Sequence, residues 1–157
     1  MNYWLLKSEP ESFSIDDLKN APGKKSHWDG VRNYQARNYM RDSMRKGDLA
    51  FFYHSNCEVP AIVGIAEIAS AAYPDHTAFD PRDHHFDPKS DPANPSWVMV
   101  DIRFKRKLRR ALSLAELHQH ADMLSGFALI RRGNRLSVLP VSKAHWDYIL
   151  TLEKAKP

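Results

Sequence analysis

The sequence predicts an α+β domain in which a mixed β-sheet of about five or six strands curls or closes into a barrel, with an open mixed sheet as the alternative, flanked by short helices. Three observations carry this expectation. Five apolar segments have the length and patterning of strands: Tyr3–Ser8, Asp48–Ser55, Ala61–Ala69, Trp97–Leu108 and Arg135–Leu139. Helix-cap signals fall irregularly between them, not in the regular alternation of a parallel α/β sheet. The 157 residues are 43% hydrophobic and 27% charged, enough for a single domain over 1–157 with one real core.

Taken in order, Tyr3–Ser8 opens the sheet, and Ser14 with Asp17 forms a capping-box pattern before a short apolar run. From Asn33 to Lys46, Ala36, Met40 and Met44 recur at i+4 beside Tyr39, with Gly47 where a helix would stop. Ala61–Ala69 is apolar on both parities until Glu67, the pattern of a strand covered on both sides. Tyr73–Ser96 carries five of the ten prolines and five aspartates, so it reads as a long surface loop and not a strand. In the next segment Val98, Val100, Ile102, Phe104 and Leu108 share one parity. Met99, Asp101, Arg103, Lys105, Lys107 and Arg109 share the other, which implies one face in the core and one in water. Ser113 with Glu116 signals another helix start, and Ser142 caps a last helix bearing Trp146, Ile149 and Leu150.

The net charge of +4 is local. Arg103, Lys105, Arg106, Lys107, Arg109 and Arg110 form a run of six cations without an anion, and removing that run leaves the remainder at −2. Such a patch points to an anionic partner, although the same cations would also serve to keep a strand face solvated. The single cysteine, Cys57, excludes a disulfide framework and a cysteine-built zinc site. No basic leader and no membrane-length apolar stretch is evident, so a reduced cytoplasmic setting without membrane contact is expected.

Phosphate-loop, dinucleotide, nucleophile-elbow and zincin patterns are all missing. His118 and His120 are two apart and point to different sides of a helix. Asp83-His84-His85-Phe86-Asp87 has ligand-type residues, but it lies in the proline-rich loop and reads as solvated, so neither metal nor cofactor is expected. The aromatics are more informative. Tyr3-Trp4, His27-Trp28-Asp29, Phe52-Tyr53-His54-Ser55, Tyr73-Pro74-Asp75 and Ser96-Trp97 each set a flat ring beside a polar group at the end of an element. A ring that stacks and a neighbour that reads an edge suit a planar heterocycle, although a single Trp is more often core.

Five ordered strings make the chain recognisable. They are Tyr3-Trp4-Leu5-Leu6-Lys7-Ser8-Glu9-Pro10; Trp28-Asp29-Gly30-Val31-Arg32-Asn33 followed by Ala36-Arg37-Asn38; and Gly47-Asp48 leading to Phe52-Tyr53-His54-Ser55. Gly64-Ile65 with Ala72-Tyr73-Pro74-Asp75, and Arg135-Leu136-Ser137-Val138 with Pro140-Val141, complete the set. Together they resemble the EVE domain family over about residues 2 to 152. That family is PUA-like and similar to YTH domains, which bind methylated adenine in RNA.

The resemblance implies a curled, barrel-like sheet and a pocket for a flipped-out, methylated base in DNA or RNA. On it, Lys7, Ser8 and Glu9 match the lysine–serine–polar string of the YTH pocket, Trp28 with Asp29 matches its first aromatic wall, and Tyr73 is the expected opposite wall. Asn33, Tyr53, His54, Ser55, Asp75, Leu136 and Ser137 complete the expected base site. Lys7, Asp29, Asn33, Ser55 and Ser137 are its candidate edge readers. Arg103, Lys105, Lys107 and Arg109, with Arg131, Arg132 and Arg135, are expected to hold phosphates. The alternative is a small hydrolase or nuclease of the related ASCH group, with Lys7, Glu9, Asp29 or His54 as acid and base.

Overall fold

Successive side chains leave a strand on opposite faces. On β1 (Tyr3–Ser8) this sends Trp4 and Leu6 into one apolar layer and Leu5 into another. The computed structural model, which describes residues 1–155, extends that division across the whole sheet. The further strands are β2 (Lys25–Trp28), β3 (Leu49–His54), β4 (Ala61–Ile68), β5 (Tyr73–Pro74), β6 (Val98–Ser113) and β7 (Val138–Val141). Their spatial order is β2-β6-β4-β3-β1-β7, with β5 pairing with β6 off this path. The β1–β3 pairing is parallel and the others are antiparallel, so the sheet is mixed, and β2 and β7 end it without closing a barrel.

Two strands escape the sequence patterning. β2 reads Lys-Ser-His-Trp and lies at an edge, so it carries little apolar signal. β5 falls in the segment read as strand-free and contains Pro74, which an edge position tolerates. β6 is longer than expected and changes layers. Ile65 pairs with Arg106 while Ala66 pairs with Phe104, so the strand carries one extra residue there. A one-residue bulge reverses the facing of the residues that follow it, and a second irregularity lies further on, between Lys107 and Leu112 opposite Gly64 and Ile62. Val98, Val100, Ile102 and Phe104 therefore pack in the first layer, whereas Leu108 and Leu112 pack in the second. Leu108 does not share a face with Phe104, and Met99, expected in water, is buried where β5 joins the strand. The last strand also lies later than Arg135–Leu139. Asn134 turns the chain by accepting the Leu136 amide at 2.9 Å, and regular pairing begins at Val138.

The helices are short and capped as their sequences indicate. Ser14 and Asp17 form the reciprocal box at the start of α1 (Ile15–Asn20). α2 (Tyr34–Asn38) continues as a wider turn over Tyr39–Ser43 and stops before Gly47, which adopts φ +96°. Ser113 caps α3 (Leu114–Gln119), and Ser142 caps α4 (Lys143–Lys154).

The proline-rich segment is tied down where prolines cannot pair. Asp80, Asp83, Asp87 and Asp91 each accept an amide two residues on, at 2.8 to 3.0 Å. Asp87 also accepts the Trp97 indole N–H at 2.7 Å, closing the segment on the base of β6.

Candidate functional site

β1 and β2 both run out into one cavity of about 470 Å³. At the end of β1, local hydrogen bonds fix the backbone: the Lys7 amide donates to Ser137 at 2.9 Å and the Ser55 amide to Ser8 at 3.0 Å. The Ser8 hydroxyl donates to the Phe13 carbonyl at 2.7 Å, and the Asn56 side-chain amide to Glu9 at 2.6 Å. Lys7 reaches into the cavity half-buried, and that burial pushes its ammonium below the usual lysine range.

Trp28 ends β2. It is 7% exposed and lies edge-on to Phe52, with ring centroids 5.5 Å apart, and to Phe13 at 6.5 Å. The indole is thus a core residue whose remaining surface lines the cavity.

The next residues are clamped to the proline-rich segment. Asp75, fully buried, accepts the Gly30 amide at 2.8 Å and the Arg32 guanidinium at 3.0 Å. Burial alone would raise the Asp75 carboxyl, but hydrogen bonds from Thr77, Gly30 and Arg32 outweigh it and hold the group below the usual carboxylate range. Arg32 also donates to the His85 carbonyl at 2.8 and 3.0 Å, bringing Asp83–His85 onto the cavity. Gly30 makes room for that loop: its φ is +76°, and a β-carbon there would fall 2.5 Å from the His85 ring.

Six of the expected base-site residues line this cavity: Lys7, Ser8, Glu9, Trp28, Asp29 and Ser137. The other seven lie elsewhere. Tyr53 is buried in the second layer, its phenol pushed up to about 12 mainly by burial. His54 accepts the Ile15 amide at 3.1 Å through Nε2, and burial lowers its pKa. Ser55 holds Ser8 through its backbone, and Asn33 caps α2 by accepting the Ala36 amide at 3.0 Å. Tyr73 is not the opposite wall. It is spent on β5, where its hydroxyl donates to Asp101 at 2.5 Å, and burial with that bond raises it to about 12. Asp75 is buried and holds the Gly30 amide without lining the cavity, and Leu136 lines a different cleft.

The loop rings on the cavity are His84 and His85. Phe13, Ser12, Ser26, His27 and Val31 also line it. Of these, the run Asp83–His85 carries a signal in the sequence as ligand-type residues, and His27 as the neighbour of Trp28. Nothing local announces that Arg32 draws the Asp83–His85 run back. Asp83, His84 and His85 place donor atoms within 4.8 Å of one another, but the Asp83 carboxylate already accepts the His85 amide at 2.8 Å.

The cationic strand is largely neutralised by its neighbours. Arg103 and Lys105 both face Glu67, Lys107 faces Asp16, and Arg106 and Arg110 make two-pronged bonds to Glu153 and Glu116. The expectation that this run holds phosphates overlooks four carboxylates, three of them distant in sequence and the fourth, Glu116, only six residues past Arg110.

An open mixed sheet with a half-buried lysine, an indole and polar strand ends around one cavity defines a small α+β domain with a candidate ligand site. The chain belongs to the EVE domain family, whose model matches residues 2–152. It is similar to thymocyte nuclear protein 1 of Rattus norvegicus, 49% identical over 99% of this chain and 75% of that protein. The Gallus gallus protein of the same name is 48% identical over 99% of this chain and 70% of its own length. Among solved structures, human thymocyte nuclear protein 1 in complex with 5-methylcytosine-containing DNA superimposes with a TM-score of 0.96 at 44% identity, covering 100% of both chains. A Pseudomonas syringae protein gives a TM-score of 0.91 at 48% identity, covering 96% of this chain and 99% of that one. An ASCH protein of Zymomonas mobilis, at a TM-score of 0.55 and 10% identity over 97% of this chain and 99% of its own, shares the fold alone.

Proposed function

We propose that this chain is a reader of modified DNA that takes a flipped 5-methylcytosine into the cavity walled by Trp28. The observation that carries the reading is the coincidence of that cavity with near-identity of fold to a relative solved with 5-methylcytosine-containing DNA. A volume of about 470 Å³ is within the range of small-molecule sites, roughly 300–1,000 Å³.

Extruding a base costs a few kcal/mol. Contact with the exposed part of the Trp28 indole offsets some of that, since stacking on an aromatic contributes about 1–3 kcal/mol per base. Lys7 donates to the acceptors on the cytosine edge, and Asp29 accepts from its exocyclic amine. The methyl group packs against Phe13 and Val31. Burying one methyl is worth about 0.8 kcal/mol, roughly fourfold in affinity, so stronger selectivity needs a slot whose polar groups are left unpaired by the wrong base.

The test is fluorescence anisotropy at fixed salt with matched oligonucleotides carrying cytosine or 5-methylcytosine, as DNA duplex, single-stranded DNA and RNA. The expected result is a preference of about fourfold or more for methylated DNA, removed in Lys7→Met. Equal binding of methylated and unmethylated DNA by the wild-type chain would overturn the reading, as would turnover of the oligonucleotide without stable binding.

A further inference from the structure

The Trp28 cavity has a neighbour one residue away along the chain. Ser137 lines the cavity, while Leu136 and Arg135 line a second cleft, of about 370 Å³, with Gln35, Tyr39, Arg131 and Arg132. Among the described residues, no acidic side chain lines this cleft. Arg131, Arg132 and Arg135 are exposed, and among the described residues their guanidinium groups have no ion pair or side-chain hydrogen bond. This cleft differs sharply from the β6 face, where carboxylates meet five of the six cations.

The arginines sit on a formed turn. The Asn134 amide donates to the Arg131 carbonyl at 3.2 Å, and Gly133 adopts φ +79°. Guanidinium groups present several donors in a plane, a match for the paired oxygens of a phosphodiester. Three of them without a counter-charge, beside a base-sized cavity, form a site for a polyanion.

We infer that this cleft holds the phosphodiester backbone of the DNA strand flanking the base in the Trp28 cavity. The inference rests on the reader function above and adds to it the direction in which the strand leaves the pocket, across Ser137 and Leu136 towards Tyr39. These arginines fix register and supply affinity, and they do not distinguish methylated from unmethylated cytosine.

The experiment measures affinity for the methylated and unmethylated DNA duplexes across a salt series, in the wild-type chain and in the triple variant Arg131→Gln, Arg132→Gln, Arg135→Gln. The single variant Arg132→Gln, at an exposed side chain, serves as a second reading should the triple variant fail to fold. Each arginine–phosphate pairing removed lowers the slope of log affinity against log salt by about 0.9, so the triple variant should lose up to about 2.7 of slope and the single variant about 0.9. The ratio between methylated and unmethylated DNA should stay unchanged in both. An unchanged slope overturns the assignment. So does a fall in slope confined to the β6 pair Lys105→Gln, Lys107→Gln, which would move the backbone to that face. Absence of any methyl preference in the wild-type chain, with the slope still falling in the triple variant, refutes the base reading while leaving the phosphate cleft standing.

Discussion

The carboxylate of Asp75 accepts the amide of Gly30 at 2.8 Å across 45 residues of sequence. One buried acid thereby ties the end of the β2 connection to the proline-rich segment. With Arg32 bridging onward to the His85 carbonyl, it fixes two sides of the cavity relative to each other. Removing it in Asp75→Ala strands a buried amide and a partly buried guanidinium, at a cost of about 3 kcal/mol. Chemical denaturation should show that loss, together with weaker base binding.

The same clamp sets an acid limit. Because the folded Asp75 pKa is depressed, its contribution is complete above the ordinary carboxylate range of about 4 and is lost as pH falls through the folded value. Stability measured against pH in the wild-type chain should therefore drop more steeply below about pH 4 than in Asp75→Asn.

Gly30 is needed twice, for its left-handed backbone and for the closeness of His85. Gly30→Ala should cost about 1–3 kcal/mol and push the Asp83–His85 loop outward. A reduced melting temperature and faster proteolysis at the Asp83–His85 loop would register it.

His54 is a base where Asp75 is an acid, but its linkage has the same sign. Its Nε2 accepts the Ile15 amide, which only a neutral imidazole can do, and burial lowers its folded pKa. The unfolded chain binds that proton more readily, so stability should decline as pH falls below about 6.5. Replacing the imidazole in His54→Gln should flatten the stability profile between about pH 5 and 7.

Trp28 has two jobs that one substitution confuses. Trp28→Ala removes a core side chain seated on Phe52 and Phe13 and should cost about 3–5 kcal/mol. Trp28→Phe keeps most of that packing while shrinking the ring offered to a base. It should weaken oligonucleotide binding severalfold with a smaller change in melting temperature.

Strands with strong apolar patterning, and caps that rest on local side-chain chemistry, are legible in the sequence. Lys7, Ser8, Glu9, Trp28 and Asp29, singled out through the strings that resemble the EVE family, do line one cavity, because they stand where β1 and β2 end. What depends on distant partners is not legible. Tyr73 is an aromatic beside an aspartate in sequence, but its hydroxyl is spent on Asp101, which no local pattern foretells. The six cations of β6 read as a free patch because Glu67, Asp16, Glu116 and Glu153 lie elsewhere in the chain. Leu108 reads as sharing a face with Phe104 because a bulge leaves no mark on an alternating pattern.

That bulge also governs how the molecule comes apart. One strand, bulged but continuous in the chain, contributes Ile102 to one apolar layer and Leu112 to the other, which couples the melting of the two layers. Heating should give one all-or-none transition, with calorimetric and van't Hoff enthalpies in agreement.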